Sequence, residues 1–174
     1  MSNRIGQIWI ETVIYTLIGL TLIALTLAYL MPKINQSNDR AAVEQSIEAL
    51  NLFDQKMVEV TTSSAGSSRI IPEFLIKRGS FSVKPDTNDL LFVIEGLASP
   101  YSEPGIQILR GRMNVTTDEY QGSYRTTLKV HYNLDLIYAA KGVTKKFTPA
   151  ATPYQFSITN INNSKIDIVE ISSN

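Results

Sequence analysis

One carboxylate stands at the beginning of a long uncharged stretch of the sequence. Glu11 is followed by Thr12–Pro32, which contains no charged residue. A carboxylate in the middle of a bilayer costs about 2.5–3.5 kcal/mol, and less near the interface. If the chain is cut after Gly6, the new amino terminus at Gln7 lies one helical turn from Glu11, and its ammonium can neutralise that carboxylate or the same carboxylate of a neighbouring chain. The alternative is that Glu11 lies at headgroup level as an ordinary interface residue.

The other reactive side chains do not form a catalytic or metal-binding pattern. His131 is the only histidine, and strand alternation puts it on a polar face with Arg125 and Lys129, where solvation is the expected state. The absence of cysteine excludes disulfides, thiolate metal sites and cysteine nucleophiles. There is no phosphate-binding glycine loop and no nucleophile elbow. Four acids in predicted turns lack the spacing of a calcium loop: Asp86, Asp89, Asp118 and Glu119. We therefore predict no enzyme activity, no cofactor and no metal.

The first residues also resemble a known family. Met1–Gly6 has the form of a short polar leader, Gln7 is then the first residue of the mature chain, and Glu11 is its fifth. This arrangement resembles type IV pilins and pilin-like proteins, specifically the archaeal type with a class III signal peptide. The resemblance implies cleavage between Gly6 and Gln7 by a prepilin peptidase on the cytoplasmic face. It also implies assembly with other pilin-like subunits through the apolar helix, into a surface filament or pseudopilus that exposes the head.

The apolar stretch predicts a membrane-spanning helix over residues 7–32. A bilayer core needs about 20 apolar residues in a helix, and this run supplies them, so membrane lipid is an expected partner. An ordinary secretory signal would need a shorter run and a small-x-small cleavage site. The stripe of Thr12, Thr16 and Gly19 is a candidate assembly surface together with Glu11, because small residues let helices pack closely in lipid. Basic residues do not determine the orientation, so a cytoplasmic N-terminus and an extracellular head follow from the resemblance alone.

A second helical segment is predicted over residues 33–61. Pro32 lacks an N–H and is expected to kink or end the first helix, and Asn35–Asp39 offers caps for a restart. After Asp39, apolar residues recur at helical spacing and predict a stripe that packs on the following domain. Pairing with a partner helix would use the same stripe. Its residues are Val43, Ile47, Leu50, Phe53, Met57 and Val60. The polar residues 62–68 predict a flexible linker.

The remaining residues, 69–174, read as a β-rich head. Leu90–Ile94 is a continuous apolar run typical of a central strand covered on both faces. Tyr124–Tyr138 alternates over fifteen residues, which exceeds the usual strand length, so we expect a bend near Tyr132 and Asn133. About eight strands without a further helix favour an antiparallel β-sandwich. The predicted fold class is therefore α+β, with an N-terminal transmembrane and amphipathic helix before a sandwich head.

The sequence of the head gives fewer indications of function than the N-terminal residues do. Three Asn-x-Ser/Thr sequons, at Asn35, Asn114 and Asn162, are possible glycosylation sites and suit a domain outside the membrane. Net charge is zero and basic residues do not cluster, which argues against nucleic acid as a partner. The first hypothesis is a pilin-like subunit. The alternative is a solitary single-pass anchored extracellular β-domain that serves binding or adhesion, and a third possibility is an anchored surface enzyme.

Overall fold

The chain divides into two compact units between Asn38 and Asp39. The structure, a computed structural model, describes residues 3–162 and 164–171, with side chains from residue 9 onward. The first unit is helical throughout its described part. The second unit contains the final helical residues and all the described strands. The boundary therefore falls within the second predicted helical segment, residues 33–61, and the predicted linker at residues 62–68 lies inside the second unit.

A single helix, α1, runs over Asn3–Thr61. Pro32 lies inside it, so of the two predicted effects of this proline, the end of the helix is wrong and a kink stays a prediction. Proline removes the N–H that would bond to the carbonyl of Ala28, but apolar helices tolerate this loss. The restart caps predicted at Asn35–Asp39 are not used, because these residues continue the helix.

Ten strands are found in the described part of the chain. They are β1 (Ser68–Phe74), β2 (Ser80–Lys84), β3 (Asp89–Leu97), β4 (Gln107–Arg110), β5 (Met113–Tyr120), β6 (Ser123–His131), β7 (Asp135–Tyr138), β8 (Lys145–Phe147), β9 (Tyr154–Asn162) and β10 (Lys165–Glu170). One sheet has the order β1-β9-β10-β7, and the other has the order β4-β5-β6-β3-β2-β8. The predicted α+β class with a sheet-rich head is confirmed. The sheets are antiparallel except where β10 pairs with β7 in parallel.

The predicted apolar stripe of the helix forms one wall of the core. All six of its residues are buried, and they pack with inward-facing residues of both sheets. Phe53 is the centre of this packing: its ring centroid lies 5.7 Å from that of Phe74, 5.2 Å from Phe81 and 5.5 Å from Phe156. These partners come from β1, β2 and β9, so one side chain of α1 joins the two sheets. The prediction that the stripe covers the following domain is confirmed.

The long alternating stretch Tyr124–Tyr138 is interrupted at the predicted place, but the cause is a change of sheet. β6 ends at His131 in the six-stranded sheet, and β7 begins at Asp135 in the four-stranded sheet. The backbone N–H of Tyr132 donates to the carbonyl of Asn88 (3.0 Å), and the side-chain oxygen of Asn88 accepts from the N–H of Leu136 (2.9 Å). The chain thus changes sheets around Asn88 instead of bending within one strand.

Close approach of β2 to β3 requires a glycine at the start of β2. Gly79 has φ of 88°, and a Cβ there would lie 2.3 Å from the carbonyl oxygen of Val93. A side chain at this position would be excluded by both backbone conformation and space. The result fixes β2 beside β3, where Ser80 is paired with Val93.

Candidate functional site

The described part of the first unit presents an apolar helix surface without cover. Every described side chain from Trp9 to Asn38 is exposed, apart from the half-buried Gly19. This part of α1 contains one stretch that is long and apolar enough to cross a membrane, by length and composition. Exposed leucine, isoleucine and valine on all sides of a helix are typical of a segment that lies in lipid or among other helices. The helix is therefore compatible with a single-pass membrane anchor.

Aromatic residues bracket this stretch. Trp9 and Tyr29 are 69% and 70% exposed, and twenty residues separate them, or about 30 Å at 1.5 Å per residue. That spacing matches the thickness of the hydrocarbon core, and tryptophan and tyrosine favour the two membrane interfaces. Glu11 follows Trp9 by two residues, so it then lies about 3 Å inside this interface, within the apolar layer. Neither aromatic residue was predicted from the sequence to mark a membrane interface.

The predicted assembly residues share the exposed surface of α1. Glu11 and Thr16 are exposed, and the hydroxyl of Thr16 donates to the carbonyl of Thr12 (2.8 Å). At Gly19, a Cβ would meet nothing within 4 Å, so the glycine leaves a shallow notch. Two further hydroxyls donate within the helix in the same way, at Thr21 and Thr26. The predicted processing residues, Gly6 and Gln7, lie before the first side chain that the structure describes.

Several polar contacts tie the part of α1 in the second unit to the rest of that unit, and the first is at Asp39. Asp39, only 6% exposed, accepts from the guanidinium of Arg78 (2.6 Å) and from the backbone N–H of Ala98 (2.6 Å). Arg78 also donates to the carbonyls of Glu95 and Gly96. Buried charges are stable only when paired and hydrogen-bonded, and this carboxylate has both kinds of partner. Asp39 was predicted as a helix cap, and its partners, 39 and 59 residues away in the chain, carry no local sequence signal.

The second and third contacts lie along one flank of the helix. The hydroxyl of Tyr101 donates to Glu44 (2.8 Å) and accepts from Arg110 (2.9 Å). Further along, the hydroxyl of Tyr132 donates to Asp54 (2.7 Å), beside Arg112. Burial and the neighbouring carboxylates raise the pKa of both tyrosines above the usual value of 10.0, so both hydroxyls remain donors at physiological pH.

The end of the helix is capped from the far end of the chain. The side-chain amide of Asn160 donates to the carbonyls of Val60 (3.2 Å) and Ser63 (3.0 Å). Its backbone carbonyl accepts from the N–H of Gly66 (2.7 Å). The last carbonyls of a helix need such partners when they are buried. The connection predicted as a flexible linker is therefore hydrogen-bonded to β9.

No cluster of three metal-ligating side chains occurs among the described residues. The only histidine, His131, is exposed at the end of β6, where its Nδ1 is 2.9 Å from Asp89 and Lys129 Nζ is 3.0 Å from the other oxygen of that carboxylate. The histidine shares its polar face with Lys129, as strand alternation predicted. This arrangement is a polar network around the buried carboxylate of Asp89.

The Asp89 network gives a testable pH dependence. Burial raises the pKa of this carboxyl, but hydrogen bonds from Thr87, Lys129 and His131 outweigh it and hold the pKa below the ordinary value of 3.8. A carboxyl with a lowered folded-state pKa stabilises the fold above its unfolded-state pKa, and the contribution is lost as pH falls through the folded-state pKa. We expect the free energy of unfolding to fall below pH 3.8, and to fall less in Asp89→Asn.

The measurement is chemical denaturation of the full chain in detergent from pH 7 to pH 2. Asp86→Asn is the matched control, because Asp86 is exposed and contacts only the hydroxyl of Thr144, at 3.4 Å, among the described residues. Its pH profile should follow that of the unmodified chain. Equal profiles for Asp89→Asn and the unmodified chain would contradict the prediction.

The three sequons lie in different surroundings. Asn35 is exposed on α1, whereas Asn114 is half-buried on β5 between β4 and β6. Asn162 is exposed at the end of β9, and its side-chain oxygen accepts from the N–H (3.1 Å) and hydroxyl (2.9 Å) of Ser164. Glycosylation stays a prediction at all three, with Asn114 the least accessible acceptor.

No protein-family model matches the chain, and no curated protein or solved structure matches it.

Proposed function

We propose that the protein is a type IV pilin-like structural subunit, cleaved after Gly6 and assembled through its apolar helix into a surface filament or pseudopilus. Before assembly, it is held in the membrane with its N-terminus cytoplasmic and its β head outside. Its partners are membrane lipid, a prepilin peptidase and other pilin-like subunits. The proposal assigns no catalytic residue to the head.

The observation that carries the proposal is the exposure of Glu11 in the stretch of α1 from Trp9 to Pro32, which is otherwise uncharged. A solitary helix in lipid gains nothing from a carboxylate at this position, where desolvation is costly. Cleavage after Gly6 would create an ammonium four residues before Glu11, which is one helical turn. Between neighbouring helices, the same two charges would attract and set the axial stagger of the subunits. The uncovered helix surface then supplies the packing area.

A second supporting feature is the way α1 enters the head. The C-terminal third of α1 is part of the core through Phe53 and its neighbours, and the polar contacts at Asp39 and Asn160 hold that part at both ends. A subunit that assembles by its helix needs this kind of attachment, because otherwise the displayed domain would separate from the assembly. The same attachment also serves a solitary membrane anchor.

The alternative function is that of a solitary anchored domain for binding or adhesion. A single apolar helix near the N-terminus is sufficient for that function. It requires neither cleavage nor contact between copies. The two functions therefore differ in the identity of the mature N-terminus.

The deciding experiment is N-terminal mass spectrometry on the full chain, expressed with and without a prepilin peptidase. We expect a terminus at Gln7 only when the peptidase is present, and a bulky substitution at Gly6 should abolish cleavage. In the family that the sequence resembles, the prepilin peptidase requires a small residue before the cleavage site. A terminus at Met1 in both samples would contradict the proposal and favour the solitary anchor.

A further inference from the structure

A groove runs along one flank of the helix in the second unit. It has a volume of about 350 Å³ and lies between α1 and the chain that leaves β1. Leu52 and Leu75 are exposed apolar residues in it, and Glu48, Glu73 and Lys77 give it a net charge of −1. Among the described residues, these three charged groups form no ion pair. The groove therefore offers apolar area and two unpaired carboxylates.

The β4–β5 hairpin has the complementary character. Its tip, Leu109–Arg112, contains the two-residue turn Gly111–Arg112, in which Gly111 adopts φ of 65°. Leu109 is 71% exposed, more than any other large apolar side chain described in the head. Arg110 and Arg112 are about half exposed, and their ion pairs to Glu44 and Asp54 are long, at 3.8 and 3.6 Å. A guanidinium has five donors, so each arginine retains donors for a second carboxylate.

The hairpin tip and the groove involve different residues of α1. In its own molecule, the tip's arginines contact Glu44 and Asp54, and neither of these residues lines the groove. Among the described residues, no ion pair joins these arginines to Glu48 or Glu73. A contact between one surface and a different surface on the next copy is heterologous, and such contacts extend into open assemblies unless the rotation closes.

We propose that the hairpin tip of one copy docks in the groove of the next copy, with Leu109 against Leu52 and Leu75, and with the two arginines facing Glu48 and Glu73. The occupant is a second copy of this chain, chosen by charge complementarity and by the exposed leucine. This interface rests on the proposed function, because it would repeat between the heads of an assembly. It adds a specific contact to the packing of the helices.

The test uses disulfide trapping on the full chain in cell membranes, because the natural sequence has no cysteine. The double variant Leu75→Cys/Leu109→Cys should give a ladder of covalent oligomers after mild oxidation, since each copy carries both halves of the contact. Membranes that contain the two single variants together should give dimers only. The control Leu75→Cys/Val143→Cys, with Val143 63% exposed in the loop after β7, should give no ladder.

Each result decides the question. A ladder confined to the Leu75→Cys/Leu109→Cys variant supports the interface, and adding Glu48→Lys/Glu73→Lys to it should remove the ladder. The interface would be overturned by any of three results: no covalent oligomer, only dimers from the double variant, or a ladder that also forms with Val143→Cys. A Gln7 terminus without a ladder would overturn the interface and leave the proposed function standing. A Met1 terminus with a ladder would overturn the proposed function and leave the interface standing.

Discussion

Replacing Phe53 with alanine is expected to lower the free energy of unfolding of the head by about 3–5 kcal/mol, the usual range for a buried phenylalanine. Phe53 is fully buried and contacts three aromatic rings. Alanine would leave a cavity where the two sheets and the helix meet. No neighbouring element can close such a cavity without moving away from its own contacts. Because domains are stable by only about 5–15 kcal/mol, the variant should lie near the limit of folding.

The measurement is denaturant unfolding of the full chain in detergent, followed by near-ultraviolet circular dichroism of the tyrosines. Val58→Ala is the matched control, because it removes an apolar side chain from the same helix at an exposed position. It should change the free energy of unfolding by less than about 0.5 kcal/mol. A loss at Phe53 no larger than the loss at Val58 would contradict the assigned core.

Replacing Glu11 with alanine is expected to reduce filament assembly by more than about tenfold while membrane insertion continues. The substitution removes the partner of the proposed N-terminal ammonium and leaves the apolar helix more apolar, so insertion is not opposed. A loss of about 1.4 kcal/mol per contact is a tenfold change in one association step, and a filament repeats that step at every subunit. Filaments per cell, counted after shearing, should therefore fall by more than about tenfold.

Thr21→Ala is the control for this variant. Thr21 lies on the same exposed helix, and its hydroxyl donates to the carbonyl of Leu17 within that helix (2.7 Å). It should leave the number of filaments unchanged. If Glu11→Ala changes neither localisation nor the oligomeric state, the solitary anchor becomes the better explanation.

Local periodicity predicted the parts of the fold that depend on one element. The stripe from Val43 to Val60 was correct in every residue, because burial against any flat surface requires apolar residues at helical spacing. The predicted alternation was correct within β6, where Thr126, Leu128 and Val130 are buried, but it does not continue as one strand to Tyr138. The prediction that Leu90–Ile94 is central is confirmed, but double coverage is wrong. Leu91 and Val93 are half-buried because only one face of β3 meets the core.

The features that sequence reasoning missed depend on distant partners. The change of sheet after His131 is determined by Asn88, which has no periodic signal. The same holds for Arg78 beside Asp39, and for Asn160, which caps the helix from 100 residues away in the chain. The helix passes Pro32 although a proline taken alone predicts a break. The candidate assembly residues could be predicted because a charged residue beside an apolar run is recognisable from the sequence alone. The groove could not be predicted, because only the folded structure brings its two walls together, namely α1 and the chain that leaves β1.

The two ends of the buried helical segment determine how the head would respond to tension. Asp39 is held at the beginning of this segment and Val60 is capped at its end, while Glu44, Asp54 and the apolar stripe hold the length between them. A pull along the helix axis therefore loads all these attachments at once, in shear. Attachments loaded together resist rupture better than attachments that open one after another. A pull across the axis would instead open the segment from one end.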